Sequence, residues 1–432
     1  MAETLHVLLP TDVFPPRAGG AGWSAHALSR ALQARGHQVT AIVPRRGQRG
    51  IRHSVIADVP TVEVGYLAPS LPFVQNYYRF ERFWPRLRAV IVALAAQPPA
   101  RAVIIHAQHA QTIPAAVQAG QQLHRPVVAT VRDAWPWHYF ATGLLADRVP
   151  LPAFNAWSTW LDLLGRLGAL RGTLAAPFVP YLYGHVRRRA HWLAQADAVI
   201  AVSHYIQQRL ATLVPAERLW VLPNLIDVAA TQRIAAQPPQ IAVAPRFVLF
   251  VGKLERNKGA HLLPTALLAA REAGADLPPL VIAGSGALEA QLHQELSAQG
   301  LAHVILNGWV DHDEVLRLMA RAEVLLFPSA WGEPLSRVLL EACAAGSCIA
   351  AMDTGGTRDI IEDGVNGRLA RQAHDLGRVL AELLNDRAQR QRLRAAALRT
   401  ARERFDANVV ATQVEALYLQ LCRAYDTGRA SG

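Results

Sequence analysis

The basic residues of this sequence include an isolated pair of lysines. Of 44 basic residues, only Lys253 and Lys258 are lysines, and both lie in residues 250–259, between an apolar strand pattern and a glycine that opens a helical pattern. Cations between a strand end and a helix start are typical of phosphate binding by doubly wound sheets. Lysine acts there as a compact point charge, a role that the wider fork of arginine does not reproduce. We therefore predict phosphate binding, with ordinary solvated loop charges as the alternative.

Two glutamates form a second candidate site in residues 327–342, where an apolar strand ends at Phe327 and a helical pattern follows. Pro334 suits the first position of a helix, which predicts that Glu333 lies at the helix N-terminus, facing the carboxyl edge of the sheet. Glu341 lies two turns further on among apolar residues, so its carboxylate needs a partner, and a ribose diol is a suitable one. Two glutamates eight residues apart are common by chance. The motif becomes specific through its flanking residues, Pro328-Ser329 before Glu333 and Ala342 after Glu341.

A glycine-rich loop is the third candidate. Residues 15–22 read Pro-Pro-Arg-Ala-Gly-Gly-Ala-Gly and lie between the first predicted strand and the first predicted helix. Paired glycines, Gly19 and Gly20, allow backbone N–H groups to approach a phosphate or a substrate at the helix N-terminus. The spacing matches neither a nicotinamide-type fingerprint nor a P-loop. Glycine turns also serve plain strand-to-helix connections, which is the alternative for this loop.

Composition and charge narrow the class of protein. The chain has 432 residues, of which 51% are hydrophobic and 18% are charged, which predicts a folded protein of two domains. The net charge of +11 favours an anionic partner such as a nucleotide or a phospholipid surface. No zinc-finger spacing, RNP-like segment or basic recognition helix supports nucleic acid as that partner. Cys343, Cys348 and Cys422 match neither a disulfide framework nor a zinc site, which predicts a reducing, cytoplasmic location.

Targeting segments are not expected. The apolar run 5–9 is short and follows the acidic Glu3, which argues against a signal peptide. No uninterrupted apolar stretch reaches the length of about 20 residues that a membrane-spanning helix needs.

Short apolar runs alternate with amphipathic helical patterns along the chain, which is typical of parallel α/β construction. We predict two doubly wound domains that face a cleft, joined by a proline-interrupted linker at 224–245. The domains are 1–223 and 224–404, and a helix at 405–432 crosses back to the first domain. The predicted strands are 5–9, 38–43, 102–105, 126–130, 198–202, 219–222, 247–251, 280–283, 304–306, 324–327 and 348–352, and the first predicted helix is 23–35.

Residues 135–192 interrupt this alternation. They combine aromatic residues with arginines, a composition that suits a segment lying on an anionic membrane surface. A packed helical insertion or lid is the alternative. The residues concerned are Trp135, Trp137, Phe140, Phe154, Trp157, Trp160, Phe178, Tyr181, Tyr183 and Trp192, with Arg148, Arg166, Arg171 and the run 187–189.

These motifs, in this order, resemble the retaining GT-B glycosyltransferases of glycosyltransferase family 4 (glycosyl transferases group 1). The resemblance runs from Leu5 to about Gly367 and is strongest over 247–367. The matching motifs are Gly19-Gly20, Arg-Gly-His-Gln-Val (35–39), Val-Ser-His (202–204), Leu-Pro-Asn-Leu-Ile-Asp (222–227), Gly-Lys-Leu-Glu-Arg-Asn-Lys-Gly (252–259), Ala-Gly-Ser-Gly (283–286), Asn-Gly-Trp-Val (307–310), the Glu333/Glu341 pair and Thr-Gly-Gly-Thr-Arg-Asp (354–359).

The resemblance implies roles for residues of the second half. Lys258 matches the lysine that binds the donor diphosphate, and Lys253 stands where most members have arginine. Glu333 matches the glutamate that meets the donor sugar, and Glu341 the one that holds the ribose. The remaining implied donor-binding residues are Gly19, Gly20, Gly252, Gly284, Gly286, the base-binding segment 308–310 with Val310, and Pro334, Leu335 and Ser336, the last two standing where many members have Phe-Gly.

Acceptor-side residues are less clearly implied. Many members have His-Asp after the strand that ends here in Val131-Arg132-Asp133, so Arg132 replaces that histidine. His106 and His109 lie near the same sheet edge and are further candidates, with a structural role as the alternative for each. Together with Asp133, these residues form the predicted acceptor side.

The family implies transfer of a sugar from a nucleoside-diphosphate sugar to an acceptor hydroxyl, and a lipid-linked molecule or a cell-surface polysaccharide precursor would be such an acceptor. Retention of the anomeric configuration would result from front-face attack, in which the leaving phosphate takes the acceptor proton. A covalent intermediate on Glu333 is the less favoured route. No metal or other cofactor is expected. A GT-B phosphorylase, an epimerase and a non-catalytic nucleotide-sugar-binding protein are the alternatives, since fold alone does not establish function.

Overall fold

The computed structural model describes residues 4–16, 19–71, 73–97, 102–151, 153–306 and 310–428. It divides into two compact units. The first comprises Met1–Ala146, Leu151–Leu225 and Ala407–Gly432, and the second comprises Asp147–Pro150 and Ile226–Asp406. Each unit is built on a largely parallel sheet, as the alternation of strand and helix patterns predicted. Among the described residues, no helix has the length and apolar character needed to cross a membrane.

The chain up to Leu225 carries the first sheet, in the order β10-β9-β6-β5-β1-β2-β4-β3. Its strand pairs are parallel except β3–β4. The order reverses between β1 and β5, so the segments after these strands flank a topological switch point, where ligands bind in such sheets. Its strands are β1 (Leu5–Pro10), β2 (Gln38–Arg46), β3 (Ile51–Ile56), β4 (Val59–Tyr66), β5 (Ala102–Ala107), β6 (Val127–Val131), β9 (Ala198–Ala201) and β10 (Leu219–Val221). The two-residue strands β7 (Leu144–Leu145) and β8 (Val149–Pro150) lie outside this sheet.

Helices connect these strands. Within the segment 135–192, α5 (Ala156–Leu167) and α7 (Val179–Leu193) pack around a small core that includes Leu163, Leu182 and Val186. The helices are α1 (Gly20–Ala34), α2 (Val74–Tyr77), α3 (Trp84–Ala95), α4 (Ile113–Leu123), α5 (Ala156–Leu167), α6 (Ala169–Leu174), α7 (Val179–Leu193) and α8 (His204–Leu210), with shorter helical turns at Tyr78–Arg82, Ala176–Phe178 and Ala216–Arg218.

The second unit has a parallel sheet in the order β13-β12-β11-β14-β15-β16, which reverses between β11 and β14. Its strands are β11 (Val248–Val251), β12 (Leu280–Ala283), β13 (His303–Leu306), β14 (Val324–Phe327), β15 (Ile349–Met352) and β16 (Arg368–Ala370). Its helices are α9 (Val228–Ala235), α10 (Leu263–Glu272), α11 (Glu289–Ala298), α12 (His312–Arg321), α13 (Arg337–Ala345), α14 (Ala373–Asn385) and α15 (Arg387–Thr400), with shorter turns at Ala260–Leu262, Gly355–Asp359 and Ala401–Phe405.

The final helix, α16 (Ala407–Asp426), belongs to the first unit. Tyr418 is completely buried in the core of that unit. Glu415 accepts hydrogen bonds from Arg35 Nε at 2.7 Å and His37 Nε2 at 2.9 Å, next to the end of α1. The charged and apolar contacts of α16 therefore both hold it on the first sheet.

The predicted linker at 224–245 contains a helix, which corrects that prediction. The side chain of Asp227 caps α9 by accepting from Ala230 N at 2.7 Å. An N-cap of this kind satisfies a backbone donor at the helix start. The helix is short and weakly patterned, so the prolines that follow it dominated the sequence signal. The three cysteines are free and buried.

Candidate active site

The switch point of the second sheet brings two loops together. The loop after β11 and the loop after β14 are joined by a hydrogen bond from Ala330 N to Asn257 O at 3.0 Å. Gly259 has φ +76°, and a Cβ there would lie 1.8 Å from Pro328 O. Only glycine permits this close approach. The contact explains why a glycine follows Lys258 directly.

Lys258 and Glu333 form an ion pair at this switch point. Lys258 Nζ donates to Glu333 Oε2 at 2.8 Å and to Oε1 at 3.1 Å. Glu333 Oε2 also accepts from the indole N–H of Trp331 and the hydroxyl of Ser329. The ammonium lies 5.0 Å from the centroid of the Trp331 ring, a cation–π contact. The fold thus places a partly exposed cation next to a buried carboxylate. A site that binds both a phosphate and a sugar hydroxyl needs these two groups side by side.

Helix α13 begins later than the sequence predicted. Its N-cap is Ser336, whose side chain accepts from Leu339 N, so Pro334 lies in the preceding loop. Glu333 is therefore a loop residue three positions before the N-cap, and not at the helix N-terminus as predicted. The chain after β15 supports it, since Gly356 N donates to Glu333 O at 2.7 Å and a Cβ on Gly355 would lie 2.4 Å from that oxygen.

Glu341 is held by two side chains. It is buried on α13, and its Oε1 accepts from Arg337 Nε at 2.7 Å and from His312 Nε2 at 2.9 Å. His312 is the first residue of α12, and its hydrogen bond to Glu341 raises the pKa of the imidazole. Sequence reasoning missed His312 and Arg337. Arg337 lies four residues before Glu341, a helical spacing that could have indicated the pair, whereas no local pattern connects His312 with α13.

Replacement of the ribose-binding candidate should affect binding more than turnover. We expect Glu341→Gln to weaken binding of the donor nucleotide about tenfold, because hydrogen bonds to a charged group contribute about 1.5–3 kcal/mol. The same contact exists in the ground and transition states, so kcat should change less than the dissociation constant. Calorimetric titration with free nucleoside diphosphate, paired with steady-state kinetics, measures both. A drop in kcat with unchanged nucleotide affinity would contradict the assignment.

The other donor-side candidates in the loops after β11 and β12 differ in exposure and in their contacts. Lys253 has a side chain that is 73% exposed, with an ion pair to Glu255 at 3.8 Å. Three glycines serve close contact between the loops after β11 and β12: a Cβ on Gly284 would lie 1.9 Å from Gly252 O, and one on Gly286 would lie 2.6 Å from Leu254 O. These glycines shape the backbone that carries both lysines.

Four donor-side candidates remain, two in each unit. Leu335 is buried, and Val310 directly precedes Asp311, the N-cap of α12. Residues 308–309 of the segment predicted to hold the base lie outside the described residues. Gly19 is the N-cap of α1 and Gly20 its first residue, within the first unit. Residues 17–18 of that loop are likewise outside the described part.

His106 lies in the core of the first unit. It is completely buried, its Nε2 contacts Thr130 Oγ1 at 2.6 Å, and its Nδ1 contacts the Tyr418 hydroxyl. Burial lowers the pKa of this histidine well below its ordinary value. Arg132 lies beside it and donates through Nε to Asn224 Oδ1 at 2.9 Å. Both ring nitrogens of His106 are therefore engaged inside the protein, which matches the structural alternative for this residue.

His109 and Asp133 lie together at the switch point of the first sheet, in one pocket with Asp12. His109 Nδ1 contacts Thr11 Oγ1 at 3.4 Å, and burial lowers the pKa of this histidine to about 3. Asp133 accepts from Trp135 N at 2.9 Å, and burial raises the pKa of Asp133 to about 6. Sequence reasoning missed Asp12, which follows β1 in the position where a switch-point residue is expected.

Comparison with known proteins agrees with this architecture. The architecture of the two units is that of the GT-B fold, shared by solved structures of low sequence identity. Alr3699/HepE of Anabaena, solved with UDP and glucose, superposes with a TM-score of 0.65 at 19% identity, covering 96% of this chain and 100% of that one. Sucrose-phosphate synthase of Thermosynechococcus elongatus has a TM-score of 0.66 at 18% identity, covering 98% and 100%.

Sequence matches define the family. The Glycosyltransferase Family 4 model matches residues 18–230, and the Glycosyl transferases group 1 model matches residues 232–400. The chain belongs to this family of glycosyltransferases, as the motifs predicted. It is 28% identical to the glycogen synthase of Mycobacterium tuberculosis over 96% of this chain and 94% of that enzyme. It is also 34% identical to the phosphatidyl-myo-inositol mannosyltransferase of Mycobacterium leprae, over 49% of this chain and 54% of that enzyme.

Proposed function

We propose that this protein transfers a sugar from a nucleoside-diphosphate sugar to an acceptor hydroxyl, with retention at the anomeric carbon. The Lys258–Glu333 ion pair carries the proposal, because it joins a phosphate-binding cation to a sugar-binding carboxylate at the switch point of one sheet. The Anabaena neighbour solved with UDP and glucose supports a donor of this class.

The residues of the second unit have separate tasks in the proposed reaction. Lys258 neutralises the diphosphate as the bond from the anomeric carbon to the phosphate oxygen breaks, which stabilises developing negative charge. Glu333 hydrogen-bonds the donor sugar, and Glu341 holds the ribose. The acceptor oxygen forms its bond on the face that the diphosphate leaves, and the leaving phosphate takes the acceptor proton. A covalent intermediate on Glu333 is the alternative route, and no metal takes part in either.

A panel of nucleotide sugars tests the proposal. Thermal shift with UDP-, GDP- and ADP-sugars identifies the donor, and hydrolysis in the absence of acceptor confirms that its anomeric bond is activated. NMR of the product then reports the anomeric configuration. An inverted product would contradict retention. Turnover that depends on free phosphate would identify a phosphorylase, and binding without turnover would identify a non-catalytic sensor.

The segment 135–192 supports a second proposal, peripheral attachment to an anionic membrane on the cytoplasmic side. Several large apolar side chains of this segment are exposed, among them Trp157 at 63%, Leu170 at 77% and Leu174 at 71%. A Cβ on Gly172 would lie 2.6 Å from Leu164 Cα, so α6 packs on α5 through this glycine. Since each residue turns a helix by about 100°, Leu170 and Leu174 lie on the side of α6 opposite to Gly172.

The charges around this surface complement an anionic lipid headgroup. Residues 153–193 contain a single acidic side chain, Asp162, whose Oδ1 accepts from Arg166 Nε at 2.9 Å. Arg171 lies next to Leu170 on the exposed part of α6, and Arg187 is exposed on α7. Leucine and tryptophan side chains insert at the headgroup boundary while arginines bind anionic lipid. An acceptor linked to lipid or to a polysaccharide precursor would be reached from this surface.

Vesicle flotation tests the membrane proposal. We expect the protein to float with vesicles that contain phosphatidylglycerol at low salt and to detach as salt screens the arginines. The double variant Leu170→Glu, Leu174→Glu should lower the bound fraction at least fivefold. Val55→Glu is the matched control, since Val55 is 70% exposed on β3. If the wild-type protein stays unbound on anionic vesicles at low salt, this surface does not bind membrane and the acceptor is soluble.

A further inference from the structure

The first unit contains a polar pocket at its own switch point. Chain segments from four parts of the unit meet there: Asp12 follows β1, His109 follows β5, Asp133 follows β6 and Arg189 lies on α7. Its volume is about 360 Å³. Ligand-binding pockets typically have about 300–1,000 Å³, so this one is large enough for a small molecule such as a sugar. Aromatic side chains form part of its wall: Phe80, Trp135, Tyr139 and Phe140.

Polar atoms of this pocket lack partners inside the protein. Within the described part of the chain, four buried atoms of pocket-lining side chains accept or donate no hydrogen bond: Asp12 Oδ1, His109 Nε2, Trp135 Nε1 and Arg189 Nε. Trp135 is 3% exposed, and His109 and Arg189 are each 7% exposed. A buried polar group without a partner costs about 1–3 kcal/mol. Four of them around one pocket indicate a ligand that supplies the missing hydrogen bonds.

The remaining polar groups of the pocket are held in place. Asp12 Oδ2 accepts from Gln111 N at 3.3 Å and Arg79 at 3.4 Å. Arg189 donates to Tyr139 O at 3.1 Å, and its guanidinium lies 4.5 Å from the centroid of the Phe80 ring. Preorganised side chains of this kind fix the position of a ligand and lower the entropic cost of binding it.

The charge balance indicates a neutral ligand. Two arginines, Arg79 and Arg189, face two aspartates, Asp12 and Asp133, so neither sign dominates the lining. The indole and guanidinium atoms without partners are donors, whereas Asp12 Oδ1 accepts in its ionised form. A phosphate would satisfy the donors and be repelled by the carboxylates. A molecule rich in hydroxyl groups satisfies both kinds, since each hydroxyl donates and accepts.

We propose that this pocket binds the acceptor as a neutral saccharide, one sugar ring of which hydrogen-bonds Asp12, Trp135 and Arg189. This inference rests on the proposed glycosyl transfer and specifies its acceptor class. Arg189 and Trp135 both belong to the segment 135–192, so the insertion contributes residues that determine acceptor specificity. The aromatic wall provides apolar area for the C–H groups of the ring.

Direct binding tests the pocket. Saturation-transfer NMR on the intact protein, with methyl glycosides of glucose, galactose, mannose and N-acetylglucosamine as probes, should detect at least one of them. Trp135→Phe removes the indole N–H and should weaken that glycoside at least tenfold, in binding and in acceptor KM. Trp160→Phe is the matched control and should leave affinity unchanged, because Trp160 Nε1 is also buried without a partner but Trp160 does not line the pocket.

The pH dependence gives an independent readout. Burial raises the pKa of Asp12 to about 6, so its carboxylate gains full acceptor strength as pH rises through that value. Glycoside affinity should therefore increase severalfold between pH 5 and pH 7, and Asp12→Asn should reduce the increase. His109 is neutral throughout this range because its pKa is about 3. The charged and titratable groups that face Asp12 are Arg79, Arg189, His109, Asp133 and Tyr66.

Three results would overturn the inference. In the first, a sample that hydrolyses its nucleotide sugar binds none of the glycosides. In the second, sugar phosphates bind more tightly than neutral glycosides, and in the third, the wild type and Trp135→Phe bind the glycoside with equal affinity. Failure of the proposed glycosyl transfer would be distinguished by the binding and hydrolysis of nucleotide sugars. In that case no nucleotide sugar is bound or hydrolysed, whereas glycoside binding to the first unit is still measured in the same sample.

Discussion

Lys258→Ala should reduce glycosyl transfer by about a hundredfold, which is about 2.7 kcal/mol of lost transition-state stabilisation. The ammonium is the cation next to Glu333, and a diphosphate that is not neutralised leaves poorly. The fold should persist, because Lys258 is partly exposed and Glu333 keeps its hydrogen bonds from Trp331 and Ser329. Initial rates with saturating donor, together with a thermal melt, measure both effects.

Arg256→Ala is the control for this experiment. Arg256 lies two residues away in the same loop and is exposed, so its removal changes the loop charge by the same amount. We expect it to keep most of the wild-type activity. If Lys258→Ala retained more than a tenth of wild-type turnover, a loss of less than about 1.4 kcal/mol, Lys258 would not be the diphosphate-binding residue.

Glu333→Gln should lower kcat about a hundredfold and leave the affinity for free nucleoside diphosphate within about threefold. In the proposed reaction its carboxylate contacts the donor sugar and not the nucleotide, so the interaction should strengthen only as positive charge develops at the anomeric carbon. Glutamine keeps the size of the side chain and removes the charge. Steady-state kinetics and calorimetric titration with the nucleotide separate the two quantities.

Glu323→Gln provides the comparison at the other end of the same strand. Glu323 precedes β14 and pairs with Arg246 at 3.1 Å, far along the strand from the switch-point loops. Its replacement should change stability slightly and kcat little. A Glu333→Gln protein that fails to bind free nucleotide would show that Glu333 and Glu341 have exchanged roles.

The buried strands were predictable because parallel strands covered on both faces are continuous apolar runs. The predicted strands 280–283 and 324–327 agree with β12 and β14 residue for residue. The strands that were missed include two at sheet edges and also β4, which lies between β2 and β3 and whose apolar run is interrupted by Pro60, Glu63 and Gly65. β3, at Ile51–Ile56, is largely exposed and polar, and β16, at Arg368–Ala370, has three residues. These two edge strands are held by backbone hydrogen bonds to a neighbouring strand, so their own side chains show little of the apolar pattern from which a strand is predicted.

The candidate site was predictable in part. The lysine pair and the two glutamates stand out by type and spacing, and the fold places Lys258 against Glu333 although 75 residues separate them. The start of α13 was misplaced by three residues, because proline fits several positions near a helix start and the Ser336 cap decides among them. His312 carried no signal, since it meets Glu341 only through the packing of α12 beside α13.

Residue type and order thus determined the fold class and the family and singled out the donor-side candidates, because each depends on local strand, turn and helix chemistry. Only the tertiary structure decided which polar groups are satisfied. His106 has both ring nitrogens engaged in the core, whereas Asp12, His109, Trp135 and Arg189 keep unpartnered atoms around one pocket. Those four residues come from separate segments of the chain, and hydrogen bonding between them and a ligand depends on distances that no sequence spacing specifies.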